Sequence, residues 1–538
     1  MFGASGMSPK WNCGTMIDGK PSKMIRWRAL LWAALVAAAC GLAFHEGMRY
    51  GLLDDWDDAT FVVNNPHITL NWSNFLFYLC HPFQDLFSPL PMWSLMLDHA
   101  LWGLRPLGYH LHNLALHILA AWALLATLRR LGVRWSLAGL GALLWALNPQ
   151  KVESVIWVSE RKDVLCGLFA FLAVWLFLEK RWGWCALCTV LAIFAKPAAL
   201  ALPGVYAVLA WGRGEPLLRR EVMVPAAAGA LACGWSLAVT SQTNPGGLET
   251  SLMVPLHNLC WYPLTALVPF ETNPFYPESM ALDARCLAVL AGGVALLAGG
   301  VALARALRCS GRAVLATLAT LAAAMLPVLG LLRYTNFRYC DRYNYLVSAV
   351  VVAAAVLLAE RAFQRWRWPR LRHAVVGTLA AGALLYAAST YIYVPYWENC
   401  VRLSYYGLQR PGRPNLKAYE LGIMAAFRLG AYEYLDYLRQ ELPKRPPMTH
   451  FPVETSVKTM LTFVDAHQRF LEGDFAAAEE NYRRIIEEMA LERTRDGQVA
   501  VALPEPLVAW LCQDLATIAE HQGDHKKAEF YRLPKNEK

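Results

Sequence analysis

The chain has 538 residues, 56% of them hydrophobic and only 17% charged, with a formal net charge of +9. An ordinary soluble domain is about a quarter charged, so this balance excludes a soluble globular protein over most of the length. It also argues against nucleic acid as a partner, because the Lys and Arg residues fall in connections between apolar blocks, where they set orientation in a bilayer.

Residues 1–26 read as a cytoplasmic N-terminal segment. Lys20, Lys23, Arg26 and Arg28 lead into a long apolar run with no convincing cleavage site, which predicts an uncleaved first span instead of a secretory leader. Apolar blocks of about 18–25 residues, the length that crosses roughly 30 Å of hydrocarbon, continue as far as Val394. They predict about eleven spans within a membrane domain over 27–396. The blocks lie near 27–48, 108–128, 134–148, 163–179, 184–196, 198–212, 222–240, 283–306, 313–332, 343–360 and 374–395. With the N-terminus inside, the cytoplasmic connections hold Arg129, Arg130 and Arg134, then Lys180 and Arg181, then Arg213, Arg219 and Arg220. Arg305, Arg308, Arg312 and the run from Arg361 to Arg372 complete the set. An odd number of spans places the C-terminal part outside.

Two outer loops are long, 49–107 and 241–282, and rich in aromatic residues, which suggests a site. Within the first, PMWSLMLDHALWGL reads as an amphipathic helix lying on the membrane. Residues 397–538 turn charged and helical in pattern. LEGDFAAAEENYRR and HQGDHKKAEFYR share a Gly-Asp-aromatic-x-x-Ala-Glu pattern, with His525 in the aromatic place, and LGAYEYLDYLRQ reads as a degenerate copy. Small residues at Gly473, Ala478, Gly523 and Ala528 allow close helix pairing, as in tetratricopeptide repeats, although the spacing exceeds the usual ~34 residues. The 13 cysteines, an odd number lying mostly in apolar blocks, argue against a disulfide framework, and the CxxC of Cys185 and Cys188 reads as packing.

Three groups of residues have chemical potential. Asp54, Asp55, Asp57 and Asp58 follow the first span directly. Such crowding raises some of their pKa values, and one carboxylate beside the membrane suffices as general base; the plainer reading is a solvated acidic turn. Lys151, Arg161, Lys162, Lys196, Arg333, Arg338 and Arg342 fall on the outer side against the charge bias. At that depth they suit an anionic phosphate or diphosphate headgroup, or else pair with Glu153, Glu160, Asp163 and Asp341. In GYHLHNLALH, His110, Asn113 and His117 share one helix face. Their spacing is poor for one metal, and a packed polar cluster is the expectation. There is no P-loop, dinucleotide fingerprint, nucleophile elbow or zinc signature.

Several of these segments together resemble one family, the transmembrane and tetratricopeptide-repeat (TMTC) proteins and their bacterial relatives. DDATFVVNNPHI followed by SPLPMWSLMLDHALWGLRPLGYHLHNLALH resembles that family's first outer loop and second span. NPQKVESVIWVSERKDVL resembles its motif around a Glu-Arg-Lys-Asp tetrad, and AKPAALALP its Lys-Pro-x-x-x-x-Leu-Pro element. ALVPFETNPFYP and CDRYNYL resemble two further elements in the right order, so the likeness covers roughly 50–350. The repeat tail is shorter and less regular than in many relatives.

The resemblance implies an all-α, polytopic GT-C-type glycosyltransferase with a C-terminal tetratricopeptide-like domain. It further implies O-mannosylation of protein Ser or Thr from a polyprenyl- or dolichyl-phosphate sugar. GT-C enzymes place an acidic catalytic residue in the first outer loop, where Asp57 and Asp58 fall. The expected roles follow. Asp57 or Asp58 activates the acceptor, and some of Arg161, Lys162, Lys196 and Arg342 hold the donor phosphate. Glu160, Asp163 and Asp341 orient those cations, and His110 supports the site. Whether a divalent cation, Mg or Mn, bridges Asp57 and the phosphate stays open. The repeats are expected to bind the protein acceptor. The Ala, Arg and Trp content favours a bacterial inner membrane with the repeats in the periplasm. The rival readings are a GT-C ligase acting on a glycan or lipid, a non-enzymatic membrane scaffold with repeat-mediated binding, and a transporter.

Overall fold

The computed structural model describes residues 23–84, 86–241, 247–248, 251–269, 271–276, 282–333, 338–366, 368–410, 415–441, 451–491 and 505–531. Lys20, nearly all of segment 1–26, part of loop 241–282 and the side chain of Arg333 lie outside that description. The described chain is almost entirely helical, apart from a two-residue antiparallel ribbon pairing Gly247–Leu248 with Leu332–Arg333. It divides into two compact units. One comprises Met1–Pro274 and Met280–Glu398, the other Phe275–Ser279 with Asn399–Lys538.

In the first unit, α1 (Lys23–Phe44) leads through the acidic turn to two short helices, α2 (Trp72–Cys80) and α3 (Pro89–Trp102). Then come α4 (Pro106–Arg130), α5 (Trp135–Ala146), the short α6 (Lys151–Ile156) and α7 (Arg161–Leu178). They are followed by α8 (Trp182–Ala195), α9 (Leu202–Gly212), α10 (Arg220–Thr240) and α11 (Met253–Leu267). The unit closes with α12 (Ala284–Ala306), α13 (Gly311–Met325), α14 (Asn344–Arg365) and α15 (Pro369–Tyr393).

Their ends follow from sequence. Pro106 opens α4, where its missing N–H costs nothing, and Arg129 and Arg130 close it against the negative end of the helix dipole. Asp283 caps α12 by accepting from Cys286 N at 2.8 Å, and Ser310 caps α13 by accepting from Ala313 N at 3.2 Å.

Among the described residues, seven helical segments are long and apolar enough to cross a membrane: Arg26–Arg49, Pro106–Arg130, Arg220–Thr240, Ala284–Ala306, Gly311–Val328, Asp341–Arg365 and Pro369–Trp397. The protein is an integral membrane protein on this ground. The other expected blocks fall on shorter apolar helices, Trp135–Ala146, Trp182–Ala195 and Pro197–Gly212, and on α7, whose first turn carries Arg161, Lys162 and Asp163.

Burial separates the spans. The apolar window of Pro106–Arg130 is 61% buried within the protein, whereas that of Ala284–Ala306 is 11% buried. The first is a core element, and the second has an apolar surface all round, as lipid contact demands. Around α4 the packing is close. Gly167 of α7 lies where a Cβ would come within 2.3 Å of the Tyr345 ring. Tyr345 in turn bonds His117 Nδ1 at 2.8 Å, and its carbonyl accepts from Trp145 Nε1 at 3.0 Å. At the far end Arg134 grips Glu360 of α14 with Nε and Nη2, both at 2.8 Å.

The second unit is built of helical hairpins: α16 (Cys400–Leu408), α17 (Leu416–Leu429), α18 (Tyr432–Glu441), α19 (Phe451–Leu471), α20 (Phe475–Leu491), α21 (Glu505–His521) and α22 (His525–Tyr531). The Gly-Asp-aromatic pattern acquires a physical meaning at its turns. Gly473 and Gly523 adopt φ of +84° and +77°, the left-handed stop after a helix. The following Asp474 and Asp524 then cap the next helix, accepting from Ala477 N at 3.2 Å and Lys527 N at 3.1 Å. Ala478 and Ala528 are buried where each pair meets. Gly430 ends α17 in the same way at φ +66°, with no capping Asp after it, which is why that copy reads as degenerate. A buried Asp514 accepts from both His467 and Tyr482, joining α19, α20 and α21.

Candidate active site

The acidic turn and the Glu-Arg-Lys-Asp segment face each other. Asp54 is exposed, and Asp55 and Asp57 are half-buried. Asp58 is buried. Its Oδ2 accepts from Leu53 N at 2.9 Å, and its Oδ1 accepts from Ser159 N at 2.8 Å and from the Ser159 hydroxyl. Burial pushes the Asp58 carboxyl up to about 6, against the pull of those hydrogen bonds, and the neighbouring Asp57 adds to the rise.

Beside Ser159, three of the four expected phosphate-binding cations converge on one carboxylate. Lys162 Nζ lies 3.2 Å from Glu160, Lys196 Nζ lies 3.3 Å from it, and Arg342 Nε lies 3.4 Å from it. Lys196 also donates to Asp163 at 2.7 Å, and Arg342 pairs with Glu153 through both its side chain and its backbone N–H. Burial alone would raise Glu160; Lys162, Lys196 and Arg342 outweigh it and hold the group well below the usual carboxylate range. Glu153 has fewer cations about it, and burial pushes it up to about 7 despite Arg342. Asp163 accepts further from Ser154 Oγ at 3.0 Å, and Asp341 accepts from Gln150 Nε2 at 2.9 Å and Asn273 N at 3.0 Å.

Arg161 does not join this group. Its side chain is fully buried and pairs with Asp98 of α3, while Nε donates to Asn113 at 2.7 Å and Nη2 to the Tyr109 carbonyl at 3.0 Å. The adjacent Lys162 points instead toward Glu160 and the ring of Phe61. Neighbours one residue apart on a helix face different ways, which separates the two cations. His110 is buried against the backbone of Tyr50, Gly51 and Ile156. Lys151, buried like Arg161, donates to the Asn344 carbonyl at 3.1 Å and Ser348 Oγ at 2.7 Å.

Three residues that sequence reasoning passed over now stand out. Asp98 left a signal, a lone acid on a largely apolar helix. Ser159 and Ser154 left none, since a serine in a polar motif is unremarkable by itself.

Chemically, the arrangement offers a half-exposed carboxylate at Asp57 and, across the Asp58–Ser159 contact, three cations neutralised by Glu153, Glu160 and Asp163. Such a set can accept a proton and stabilise developing negative charge. Asp58 itself is unsuited to hold Mg or Mn. Asp58's oxygens are already occupied by N–H and O–H donors, and no group of three or more His, Cys, Asp and Glu with metal-holding geometry exists among the described residues.

An all-helical membrane protein with this polar constellation has relatives of known name, though no family model matches the chain. It is similar to protein O-mannosyl-transferase TMTC2 of Mus musculus, 29% identical over 217 residues, covering 34% of this chain and 24% of that protein. It is also similar to protein O-mannosyl-transferase Tmtc1 of Drosophila melanogaster, 35% identical over 112 residues, covering 20% of this chain and 13% of that protein. The matches thus span about a quarter or less of the length of these relatives. Among solved structures there is a weak likeness to ArnT from Cupriavidus metallidurans bound to undecaprenyl phosphate. It has a TM-score of 0.36 and 15% identity, over 91% of this chain and 80% of that one.

Proposed function

We propose that the protein is a GT-C-type membrane glycosyltransferase that moves a hexose, mannose by analogy with its relatives, from a polyprenyl-phosphate donor to a protein Ser or Thr. The reaction takes place on the non-cytoplasmic face, which in a bacterial inner membrane is the periplasm. The observation that carries the reading is the convergence of Lys162, Lys196 and Arg342 on Glu160, next to the contact that ties in the acidic turn. Sequence likeness to the O-mannosyl-transferases supports it.

In this mechanism Asp57, the half-exposed member of the adjacent pair, takes the proton from the acceptor hydroxyl. The hydroxyl oxygen bonds to the anomeric carbon as the bond from that carbon to the phosphate oxygen breaks. The pair of electrons leaves with the lipid phosphate. A single displacement of this kind inverts the anomeric centre. Lys162, Lys196 and Arg342 stabilise the charge gathering on the leaving phosphate, and Glu153, Glu160 and Asp163 hold them in place until it arrives. Arg161 holds α3 to α4 and α7 and takes no part in binding the donor. The C-terminal helical hairpins, as tetratricopeptide-like repeats, present the acceptor.

The test is transfer of radiolabelled mannose from polyprenyl-phosphate mannose to endogenous acceptors, in membranes carrying wild type, Asp57→Asn or Lys196→Met at equal expression. Loss of transfer in both variants, roughly a hundredfold or more, is expected for a base and an electrostatic ligand. Wild-type transfer in both would sink the reading. A second reading draws on the full pairing of these cations with carboxylates: an ion network that braces a scaffold, with binding left to the hairpins. In that case both variants leave partner capture intact. Label arriving in glycan or lipid in place of protein would indicate a GT-C ligase.

A further inference from the structure

Two segments far apart in sequence run alongside each other with matched spacing. Trp56 stacks on Trp157 with ring centroids 4.0 Å apart. Two residues on, Asp58 accepts from both the backbone N–H and the hydroxyl of Ser159. Three further on, the Phe61 ring lies 5.0 Å from Lys162 Nζ. Positions 56, 58 and 61 therefore meet 157, 159 and 162 in step. Asp57 sits between the first two contacts on one strand of this zipper. Glu160, on which the three cations converge, directly follows the middle contact on the other.

We infer that Asp58 and Ser159 are a positioning pair, a latch that sets the Asp57 carboxylate at working distance from the Lys162–Lys196–Arg342 cations. This rests on the proposed role of Asp57 and gives its neighbour a different one. Asp58 is fully enclosed and has donors on both oxygens, so it is placed to hold and not to exchange protons with an acceptor. The latch is bonded at three points. Leu53 N fixes the acidic turn on itself, and the two Ser159 donors fix that turn to the next segment. A hydrogen bond to an ionised, enclosed acceptor is among the stronger single contacts available. Removing the hydroxyl leaves the backbone N–H in place, so the turn loosens without losing its fold. A base displaced by a fraction of an ångström then works on an unchanged bound donor.

The test uses the full chain in membranes or detergent, with Ser159→Ala, Asp57→Asn and wild type. Hydrogen–deuterium exchange is read over 53–63 and 157–162, and transfer kinetics are taken against polyprenyl-phosphate mannose. Ser159→Ala is expected to speed exchange in those two segments alone, and to lower kcat roughly tenfold with donor KM unchanged. Unchanged exchange, or a change in KM with kcat intact, overturns the latch. If Asp57→Asn transfers sugar like wild type, it is the base assignment that fails, while the exchange data still decide whether the latch exists.

Discussion

Replacing Arg161 by Met separates two roles that neighbouring cations, Arg161 and Lys162, play a single position apart. Arg161 pairs with Asp98 where their side chains are 0% and 2% exposed, and its other nitrogens donate to Asn113 and the Tyr109 carbonyl. Removing one partner of a buried pair leaves an uncompensated charge and costs about 3–5 kcal/mol. Asp98 would retain His112, 2.7 Å away, which places the expected loss near the lower end, about 3 kcal/mol. The double variant Arg161→Met/Asp98→Asn removes that orphaned charge, so it should recover about 1–3 kcal/mol of the loss as coupling energy. The assay is reversible unfolding by SDS in mixed micelles, followed by tryptophan fluorescence, on all four members of the cycle. A donor-phosphate ligand behaves otherwise. If Arg161→Met unfolds like wild type and only raises the donor KM, the structural role assigned to Arg161 is refuted.

Two further outcomes follow from particular geometry. Asp58 rises on folding from its ordinary value to about 6, so the folded protein binds that proton more tightly than the unfolded chain. Its contribution to stability therefore increases as pH falls through 6, and the charged form at pH 8 costs about 2 kcal/mol relative to pH 4. Asp58→Asn should flatten the unfolding free energy across that window. Glu153, pushed up to about 7 by burial, should leave a residual slope of the same sign. At Gly523, φ is +77° and nothing lies within 4 Å of the place a Cβ would take, so Gly523→Ala meets only backbone strain. It should destabilise the α21–α22 hairpin by about 1 kcal/mol, raising amide exchange there roughly fivefold; exchange equal to wild type would contradict the left-handed stop.

Much of the fold was legible because two local patterns mark it. Apolar runs long enough to span hydrocarbon marked the membrane helices, and Gly-Asp pairs marked the hairpin turns through φ and capping, effects local to a few residues. The short blocks around Lys196 were harder, since length alone does not distinguish a crossing helix from one packed inside protein. For the site, the concentration of acids after α1 and of bases around 161 was visible, and both groups lie where the two segments meet. What local pattern hides is direction. Arg161 and Lys162 are adjacent and alike in charge, yet helix geometry sends one to Asp98 and the other to Glu160. Ser159 could not be singled out either, because its importance comes from a partner 101 residues away.

The ion cluster also imposes an order on the making of the protein. Glu160 meets Lys162 almost as soon as both leave the ribosome, and Lys196 follows 36 residues after Glu160. Glu153 must wait for Arg342, 189 residues downstream. Until that turn is synthesised, Glu153 lacks the guanidinium and the backbone N–H of Arg342, its two donors. The buried Glu153 therefore gains its partner only from the C-terminal part of the first unit. The unit's most polar region closes late, and maturation of the site is tied to translation of most of the first unit.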